Sequence, residues 1–501
     1  MKIAFIHPDL GIGGAERLVV DAAVGLQSLG HSVTVYTSRC DRSHCFEEVR
    51  DGTLNVVVKG DTLFPRTIFG RYENTTYDAI FVDQLSFCIP LLRMGLDRLK
   101  PARTPNCDSS SDSSSYSRRS IPQRRKRKAR ILFYCHFPDK LLATRKSLVK
   151  RLYRIPFDAI EAYSTSQADI LLVNSRFTQR MFRSEFPSID RTPGVVYPCV
   201  HESDDNKDET VVRIVKDSGK RTLLSVNRFE KKKEVDLAIR AYAALKDTPG
   251  FANTALVIAG GYDNAVSENL EYMTELRRLC DSLGLEHKII WDVEKNTTLF
   301  SSALQSSSIL FCPSVSSPVR NALLCACRAL TYTPTNEHFG IVPLEAMLMN
   351  VPVIATTTGG PLETVDDGMT GWLRAPDVNA WTPVMHHVLF EATDADLQAM
   401  GKLGHETVAK KFSRAEMANA FERAFLSASE FSSSQDSSTA ATPNHHRPAI
   451  MRNPSLRDGI WIALLACATY YCMYGSDFTI PSVSEVLVGT CIVLVVYYAI
   501  F

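Results

Sequence analysis

Two carboxylates and the short loop between them are the best-spaced residues of this chain for chemistry. Glu337 and Glu345 stand eight positions apart, with Pro343 between them. Because proline is tolerated in the first turn of a helix, the spacing predicts Glu337 on a loop and Glu345 in the opening turns of a helix. Carboxylates hold sugar hydroxyls, and the free amides of a helix start hold phosphate. Those amides would belong to Phe339, Gly340 and Ile341.

The pattern therefore predicts a site for a sugar nucleotide. A helix with one N-terminal charge and one solvated acid has the same pattern, so this interpretation stays open. A basic pair supports the first interpretation: Arg228 and Lys233 follow a predicted strand at 222–226. Releasing a nucleotide diphosphate from a sugar develops negative charge, which preorganised cations stabilise without a metal. The alternative is a solvated basic turn, since Lys231 and Lys232 are adjacent.

A glycine-rich turn follows the first predicted strand. Gly13 and Gly14 open a predicted helix and resemble part of a dinucleotide fingerprint, but the third glycine of that pattern is replaced by Glu16. No acid ends the second strand to hold a ribose hydroxyl. The turn still allows a ligand to approach the backbone closely, although a purely structural tight turn is equally compatible with the sequence.

Two further features stand near strand ends. His136 ends a predicted strand in the first half of the chain, where a catalytic role and a packed structural role are both open. Gly359, Gly360 and Glu363 form a second turn from glycine into a helix, which we expect close to the element that carries Glu345.

The elements that must position these residues form two α/β blocks in tandem. The first has predicted strands at 2–6, 32–37, 79–83, 130–134 and 169–174, with a helix at 15–29. The second has predicted strands at 222–226, 254–259, 329–332 and 351–355, with helices at 235–245 and 414–427. We therefore expect an α/β fold of two Rossmann-like domains that face a cleft, with ligands at the carboxyl ends of the strands.

Composition narrows the class of protein. The chain has 501 residues, enough for two domains, and its formal net charge is +1, which does not favour a nucleic-acid partner. Its 13 cysteines are scattered, without metal-ligand spacing, as is typical of a reducing compartment. No metal site is predicted.

Three segments differ in composition from the two blocks. Residues 104–129 are Ser/Asp-rich and then basic, which predicts a disordered insert. Residues 431–457 read as a polar linker. Residues 458–501 hold two uncharged apolar runs, which predict a membrane-anchoring hairpin that either spans the bilayer twice or dips into one leaflet. Arg447, Arg452 and Arg457 precede the first run, so its entry side is expected in the cytosol.

In combination these motifs resemble glycosyltransferase family 4, the retaining GT-B enzymes, over roughly residues 1–425. The resemblance rests on GxGGAER at 11–17, the pair Arg228 and Lys233, the Glu337–Glu345 motif and the Gly359-Gly360 turn. More narrowly, HPDLGIGGAER at 7–17, FYCHFPD at 133–139 and YTPTNEHFGIVPLEAM at 332–347 resemble the α-1,3/1,6-mannosyltransferases of dolichol-linked oligosaccharide assembly.

The resemblance implies a substrate pair and a location. The donor would be GDP-mannose, and the acceptor Man1GlcNAc2-diphosphodolichol, extended to Man3GlcNAc2-diphosphodolichol by α-1,3 and then α-1,6 addition. The enzyme would sit on the endoplasmic reticulum membrane in contact with lipid, with its catalytic body in the cytosol. Other mannosyltransferases of the early pathway would be its partners. No cofactor or metal would be required.

The resemblance also implies residue roles. Glu337 would contact the mannose hydroxyls and Glu345 the ribose. Arg228 and Lys233 would hold the diphosphate, helped by the amides of residues 339–341. His136 would lie near the donor sugar, and Gly13 and Gly14 would form a mobile loop over the donor. Glu234 departs from the family, in which glycine commonly follows the lysine.

The expected domains are 1–205 on the acceptor side, 206–413 for the nucleotide sugar, 414–430 as a closing helix, then the linker and the membrane segment. Two rival functions remain at this point. A Rossmann oxidoreductase is disfavoured by Glu16 and by the missing acid after the second strand. A non-catalytic membrane scaffold is disfavoured because it would need none of Glu337, Glu345, Arg228 and Lys233.

Overall fold

The computed structural model describes residues 1–58, 77–98, 129–142, 148–200 and 206–435. The expected membrane segment at 458–501 lies outside these residues, as do nearly all of the insert at 104–129 and most of the linker. Among the described residues, no helix combines the length and the apolar character needed to cross a membrane. The chain divides into two compact units.

Unit 1 comprises the described residues of Met1–Val173, Met181–Gly194 and the chain from Ala418 onward. Its described residues form a seven-stranded sheet in the order β3-β2-β1-β4-β5-β6-β7. Neighbours from β3 to β6 pair in parallel. The strands are β1 Lys2–Asp9, β2 Ser32–Arg39, β3 Asn55–Val58, β4 Ala79–Asp83, β5 Arg130–Cys135, β6 Ile170–Val173 and β7 Gly194–Val195.

Helices cover this sheet because its central strands are apolar on both faces, as is typical of parallel sheets. All five residues of β4 are buried. The helices in this part of the chain are α1 Gly14–Ser28, α2 Glu47–Arg50, α3 Ile89–Arg98, α4 Asp139–Leu142, α5 Leu148–Ser166 and α6 Arg176–Glu185.

Unit 2 comprises Asn174–Arg180 and Val195–Met417. Its described residues form a second seven-stranded sheet, β10-β11-β9-β8-β12-β13-β14, in which all neighbours run parallel. Two apolar clusters pack in this unit. The strands are β8 Arg221–Val226, β9 Thr254–Gly260, β10 His287–Ile289, β11 Ile309–Pro313, β12 Ala329–Tyr332, β13 Val353–Thr356 and β14 Gly371–Arg374.

The helices of the second half alternate with these strands. They are α7 Glu209–Asp217, α8 Val235–Ala243, α9 Ser267–Ser282, α10 Thr297–Ser306, α11 Ser317–Ala326, α12 Ile341–Leu348, α13 Pro361–Thr364, α14 Val378–His386, α15 Asp394–Lys411 and α16 Arg414–Gln435. From Ala418 onward, α16 belongs to unit 1. There the ring of Phe421 packs against Phe81, with centroids 5.2 Å apart, and against Tyr134 at 5.6 Å.

Several predicted boundaries change for physical reasons. The strand expected at 169–174 is Ile170–Val173, because α6 begins at Arg176. The helix expected at 414–427 extends to Gln435, so the first residues of the expected linker are helical. Helix α7 was not predicted, although Asp208 caps it by accepting hydrogen bonds from the amides of Thr210 and Val211.

Candidate active site

Lys233 and Glu337, predicted from separate motifs, form one ion pair in unit 2. Lys233 ends a short turn after β8, and Glu337 lies on the loop after β12. The Lys233 Nζ donates to Glu337 Oε2 at 2.5 Å, and both side chains are mostly buried. Burial alone would raise the pKa of Glu337, but the Lys233 ammonium outweighs it and holds that pKa below its usual range. The site therefore presents an ionised carboxylate in direct contact with the Lys233 side chain.

The backbone around Glu337 is fixed by positive φ angles and by a neighbouring glycine turn. Asn336 has φ 55° and Gly340 φ 83°. The amide of Gly360 donates to the Glu337 carbonyl at 2.7 Å. A Cβ on Gly359 would come within 2.5 Å of that carbonyl, and one on Gly360 would collide with the Phe339 backbone. These glycines thus allow the loop to approach closely.

Glu363, in the same glycine turn, stabilises the start of α6. Its carboxylate accepts hydrogen bonds from the amides of Arg176 and Phe177, each at 2.8 Å, and from the Tyr197 hydroxyl at 3.0 Å. These are the first amides of α6, so the carboxylate satisfies donors that have no partner within the helix.

The helix start at Ile341 matches the prediction, and Glu345 lies on α12 as expected. Phe339 can offer a ligand its backbone but not its side chain, because its ring is buried and stacks on the Tyr197 ring, with centroids 5.7 Å apart. A Cβ on Gly340 would press on the ring of Tyr332, at 3.3 Å. The amides at this helix start lie at the positive end of the helix dipole, as an anion site requires.

Glu345 has a partner that the sequence did not indicate. Arg320, on α11, places its Nη1 3.4 Å from Glu345 Oε1, and both side chains are partly buried. Burial raises the pKa of Glu345, and the Arg320 guanidinium opposes that rise. No spacing rule joins residues 320 and 345, so only the fold brings them together.

Arg228 is the most exposed of the predicted site residues in unit 2. Its side chain is 72% accessible, and its nearest acid is Glu230, with Nη1 3.8 Å from Oε1. Among the described residues it pairs with neither Glu337 nor Glu345. The backbone next to it is closely packed, because a Cβ on Gly260, whose φ is +145°, would collide with the Asn227 backbone. Arg228 is therefore an exposed cation whose head group is available to an anion.

In unit 1, His136 joins two residues that the sequence analysis did not select. His136 Nε2 lies 3.2 Å from Asp83 Oδ2, and His7 Nδ1 lies 2.8 Å from Asp83 Oδ1. These residues stand at or near the carboxyl ends of β5, β4 and β1, which are neighbours in the sheet. The available signal was their position after apolar strands, which is weak for any one residue.

The glycine-rich turn of unit 1 is occupied by its own acid. Gly13 caps α1, and a Cβ there would collide with the Glu16 carboxylate. That carboxylate lies 3.7 Å from His7 Nε2. In a dinucleotide-binding turn, the pyrophosphate takes this place at the helix start. A carboxylate there repels it, which is a physical reason against an oxidoreductase. Around Gly14, by contrast, the space is open.

Within the described ranges, no group of three or more His, Cys, Asp or Glu side chains could hold a metal ion. The nine cysteines in the same part of the chain form no disulfide with one another.

Comparison with known proteins identifies the family of this chain. The model of the family "Glycosyl transferases group 1" matches residues 206–382. Alpha-1,3/1,6-mannosyltransferase alg2 of Schizosaccharomyces pombe is 46% identical over 450 residues, which cover 85% of this chain and 81% of that protein. Alpha-1,3/1,6-mannosyltransferase ALG2 of Saccharomyces cerevisiae is 42% identical over 455 residues, covering 84% and 83%.

Solved structures agree at the level of fold. HepE of Anabaena in complex with UDP superposes with a TM-score of 0.58 at 16% identity, covering 85% of this chain and all of that one (100%). Sucrose-phosphate synthase of Thermosynechococcus elongatus gives a TM-score of 0.55 at 17% identity, covering 86% and 99%. Two parallel sheets of seven strands in the described residues are thus a GT-B fold. With this fold and these relatives, the chain is a glycosyltransferase that belongs to the ALG2 family of α-1,3/1,6-mannosyltransferases.

Proposed function

We propose that this chain moves mannose from GDP-mannose to Man1GlcNAc2-diphosphodolichol, first in α-1,3 and then in α-1,6 linkage, in N-glycan precursor synthesis. The product is Man3GlcNAc2-diphosphodolichol. The observation that carries the proposal is the Lys233–Glu337 ion pair, 2.5 Å long, which joins the turn after β8 to the loop that leads into α12. It offers a cation for a diphosphate and an ionised acceptor for sugar hydroxyls within one side-chain length of each other.

The donor end of the reaction follows from these charges. When the bond between the sugar and the diphosphate breaks, charge develops on the leaving phosphate. Lys233 and Arg228 stabilise it, together with the amides at the start of α12. Glu337 accepts hydrogen bonds from mannose hydroxyls, and Glu345 accepts them from the ribose. These contacts hold the donor while the cations act on the leaving group.

The proposed mechanism retains configuration by front-face departure. The leaving phosphate takes the proton of the acceptor hydroxyl as the new bond forms on the same face of the sugar. His136 contacts the donor sugar, and the loop at Gly13 and Gly14 closes over it. GDP-mannose is a substrate, and in this proposal Lys233 and Arg228 take the role that a metal ion has in other glycosyltransferases.

The proposed location is the endoplasmic reticulum membrane, with both units in the cytosol. Residues 458–501 anchor the chain in lipid, beside a lipid-linked acceptor and the other mannosyltransferases of the early pathway.

The test uses the purified full chain with GDP-mannose and a short-lipid Man1GlcNAc2-diphosphate acceptor. We expect two mannoses to be added, and linkage-specific mannosidases should identify an α-1,3 and an α-1,6 bond. UDP-glucose and UDP-mannose serve as control donors. Addition of a chelator should leave the rate of mannose transfer unchanged. Binding of GDP without transfer from GDP-mannose would contradict the proposal.

A further inference from the structure

Three polar side chains meet at the carboxyl edge of the sheet in unit 1. His7, Asp83 and His136 come from β1, β4 and the residue after β5, and Asp83 stands in the middle because β4 lies between β1 and β5. One carboxylate oxygen is 2.8 Å from His7 Nδ1, and the other is 3.2 Å from His136 Nε2. A single carboxylate therefore joins two imidazoles.

The three side chains form a row from the interior to the surface, because they differ in burial. The side chains of His7 and Asp83 have no accessible surface, whereas His136 is 24% accessible. The row thus runs from the interior to one partly exposed ring, and only that ring can touch a substrate. His7 and Asp83 can act on a substrate only through His136.

The pKa values of His7 and Asp83 indicate which of the two side chains carries the proton between them. Burial alone would lower the pKa of His7, but Asp83 outweighs it and raises that pKa to about 10. Burial would likewise raise the pKa of Asp83, yet the two histidines hold it below its usual range. Glu16 also faces His7, and the Cys88 thiol lies near Asp83 with its pKa raised by burial. His7 is therefore cationic and Asp83 anionic at neutral pH.

The charge on Asp83 decides which role the Nε2 atom of His136 has in their hydrogen bond. An ionised Asp83 accepts hydrogen bonds only, so His136 Nε2 must carry the proton that it donates. In the neutral form of the ring, Nδ1 then holds the lone pair, and among the described residues no hydrogen bond to it is found. The His136 ring also makes a T-shaped contact with the Tyr134 ring, with centroids 5.1 Å apart.

We propose that Asp83, itself held by His7, is a positioning residue that fixes the orientation and tautomer of His136, so that His136 Nδ1 accepts a hydrogen bond from one hydroxyl of the transferred sugar. This inference rests on the proposed function, since it takes mannose as that sugar. A purely structural ion pair would stabilise unit 1 without any preference for a particular hydroxyl. The two interpretations therefore differ in an effect that depends on the donor.

The experiment compares GDP-mannose with its 2-, 3-, 4- and 6-deoxy analogues in the full chain. In the wild type, removal of one particular hydroxyl should lower the transfer rate more than removal of any other. This cost is the deoxy penalty, and His136→Ala should abolish it. Asp83→Asn should abolish the same cost, because an amide can donate to Nε2 and reverse the tautomer. It should also lower kcat by about tenfold or more, with the GDP dissociation constant unchanged.

Two controls keep the inference falsifiable. Asp21→Asn removes another buried carboxylate of unit 1, paired with Arg17, and should keep the full deoxy penalty. If Asp83→Asn does not fold, His7 offers a second pair: His7→Asn keeps an N–H where Nδ1 stands and should behave as the wild type, whereas His7→Leu should lose the penalty. Folded Asp83 and His7 variants that retain the full penalty overturn the inference. A wild type that is inactive with GDP-mannose contradicts the proposed function instead.

Discussion

The two glutamates that the sequence singled out stand in different electrostatic surroundings. Glu337 has an ammonium at 2.5 Å and a pKa below its usual range. Glu345 has a guanidinium at 3.4 Å, and burial raises its pKa. Two carboxylates of one motif are thus set for different tasks by their neighbours. Substitutions that change charge without changing shape should separate these tasks.

The first prediction concerns the cations. Lys233→Ala and Arg228→Ala should each lower turnover by about 10²-fold or more, because each removes charge from the leaving diphosphate. Lys232→Ala is the matched control, since Lys232 lies in the same turn and its side chain is as exposed as that of Arg228, at 72%. Steady-state rates with GDP-mannose measure the effect. Rates of Arg228→Ala or Lys233→Ala equal to those of Lys232→Ala would remove these cations from the mechanism.

The second prediction separates Glu345 from Glu337. Glu345→Gln should raise the GDP dissociation constant, and Arg320→Gln should do the same more weakly, because Arg320 opposes protonation of Glu345. Glu337→Gln should leave GDP binding intact and impair transfer. Calorimetry with GDP, paired with turnover, measures both effects. The reverse pattern would exchange the two assignments.

The third prediction concerns pH. The pKa of His7 is about 10 in the folded chain and about 6.5 unfolded, so His7 stabilises the fold fully below pH 6.5. That contribution is lost as pH rises through about 10. The free energy of unfolding of unit 1 should therefore fall across this window in the wild type and fall less in His7→Leu. Calorimetric unfolding at several pH values tests this, and equal slopes for the two proteins would refute it.

At this scale the sequence predicted residue types better than residue pairs. Lys233 and Glu337 were selected separately, but 104 positions separate them, and no local pattern specifies that they touch. His7 and Asp83 escaped selection because a polar residue after an apolar strand is common. Their importance comes from the strand order, which a periodic pattern does not contain.

At the scale of elements, apolar runs predicted most central strands well, although they missed Ile309–Pro313, and they predicted the edge strands poorly. The strands Ala79–Asp83 and Ala329–Tyr332 have the predicted ends, since both are buried along their whole length. Short strands such as Asn55–Val58 and His287–Ile289 were not predicted, because three or four half-buried residues give little periodic signal.

The fourth prediction concerns the turn between β8 and α8. Glu234, the residue that departs from the family pattern, has φ 47° and accepts a hydrogen bond from the Thr335 hydroxyl at 2.8 Å. Glycine adopts this conformation freely, so Glu234→Gly should fold and stay active. Glu234→Val should destabilise the protein by about 1–2 kcal/mol, because a branched side chain is strained there. Thermal unfolding measures both variants, and an unaffected Glu234→Val would contradict the argument.

At the scale of the whole molecule, the tandem α/β pattern was a sufficient guide to two sheets, and the GT-B expectation is confirmed at that level. The sequence did not specify that α16 returns to the first unit. The contact between Phe421 and Phe81 joins the last described helix to β4, and such a contact leaves no trace in local periodicity.

The fifth prediction concerns residues 458–501, which lie outside the described residues. A chain cut before residue 458 should fold, since both sheets and α16 precede the cut. If those residues serve only as an anchor, the shortened enzyme should keep its rate on a soluble short-lipid acceptor. Its rate on membranes with full-length dolichol should fall, because anchoring raises the effective concentration. A shortened chain that folds and binds GDP, yet is inactive on the soluble acceptor, would give the segment a part in the acceptor site.

The return of α16 also bears on how the chain folds as it leaves the ribosome. Most of unit 2 is one continuous segment, Val195–Met417, and it can fold as soon as it has emerged. Unit 1 is synthesised first but completes its core last, because Phe81 and Tyr134 wait for Phe421. During that interval an apolar surface of unit 1 stays uncovered. We expect general chaperones to hold unit 1 through most of translation, and ribosome-bound chains that stop before residue 418 to be far more sensitive to protease in unit 1 than in unit 2.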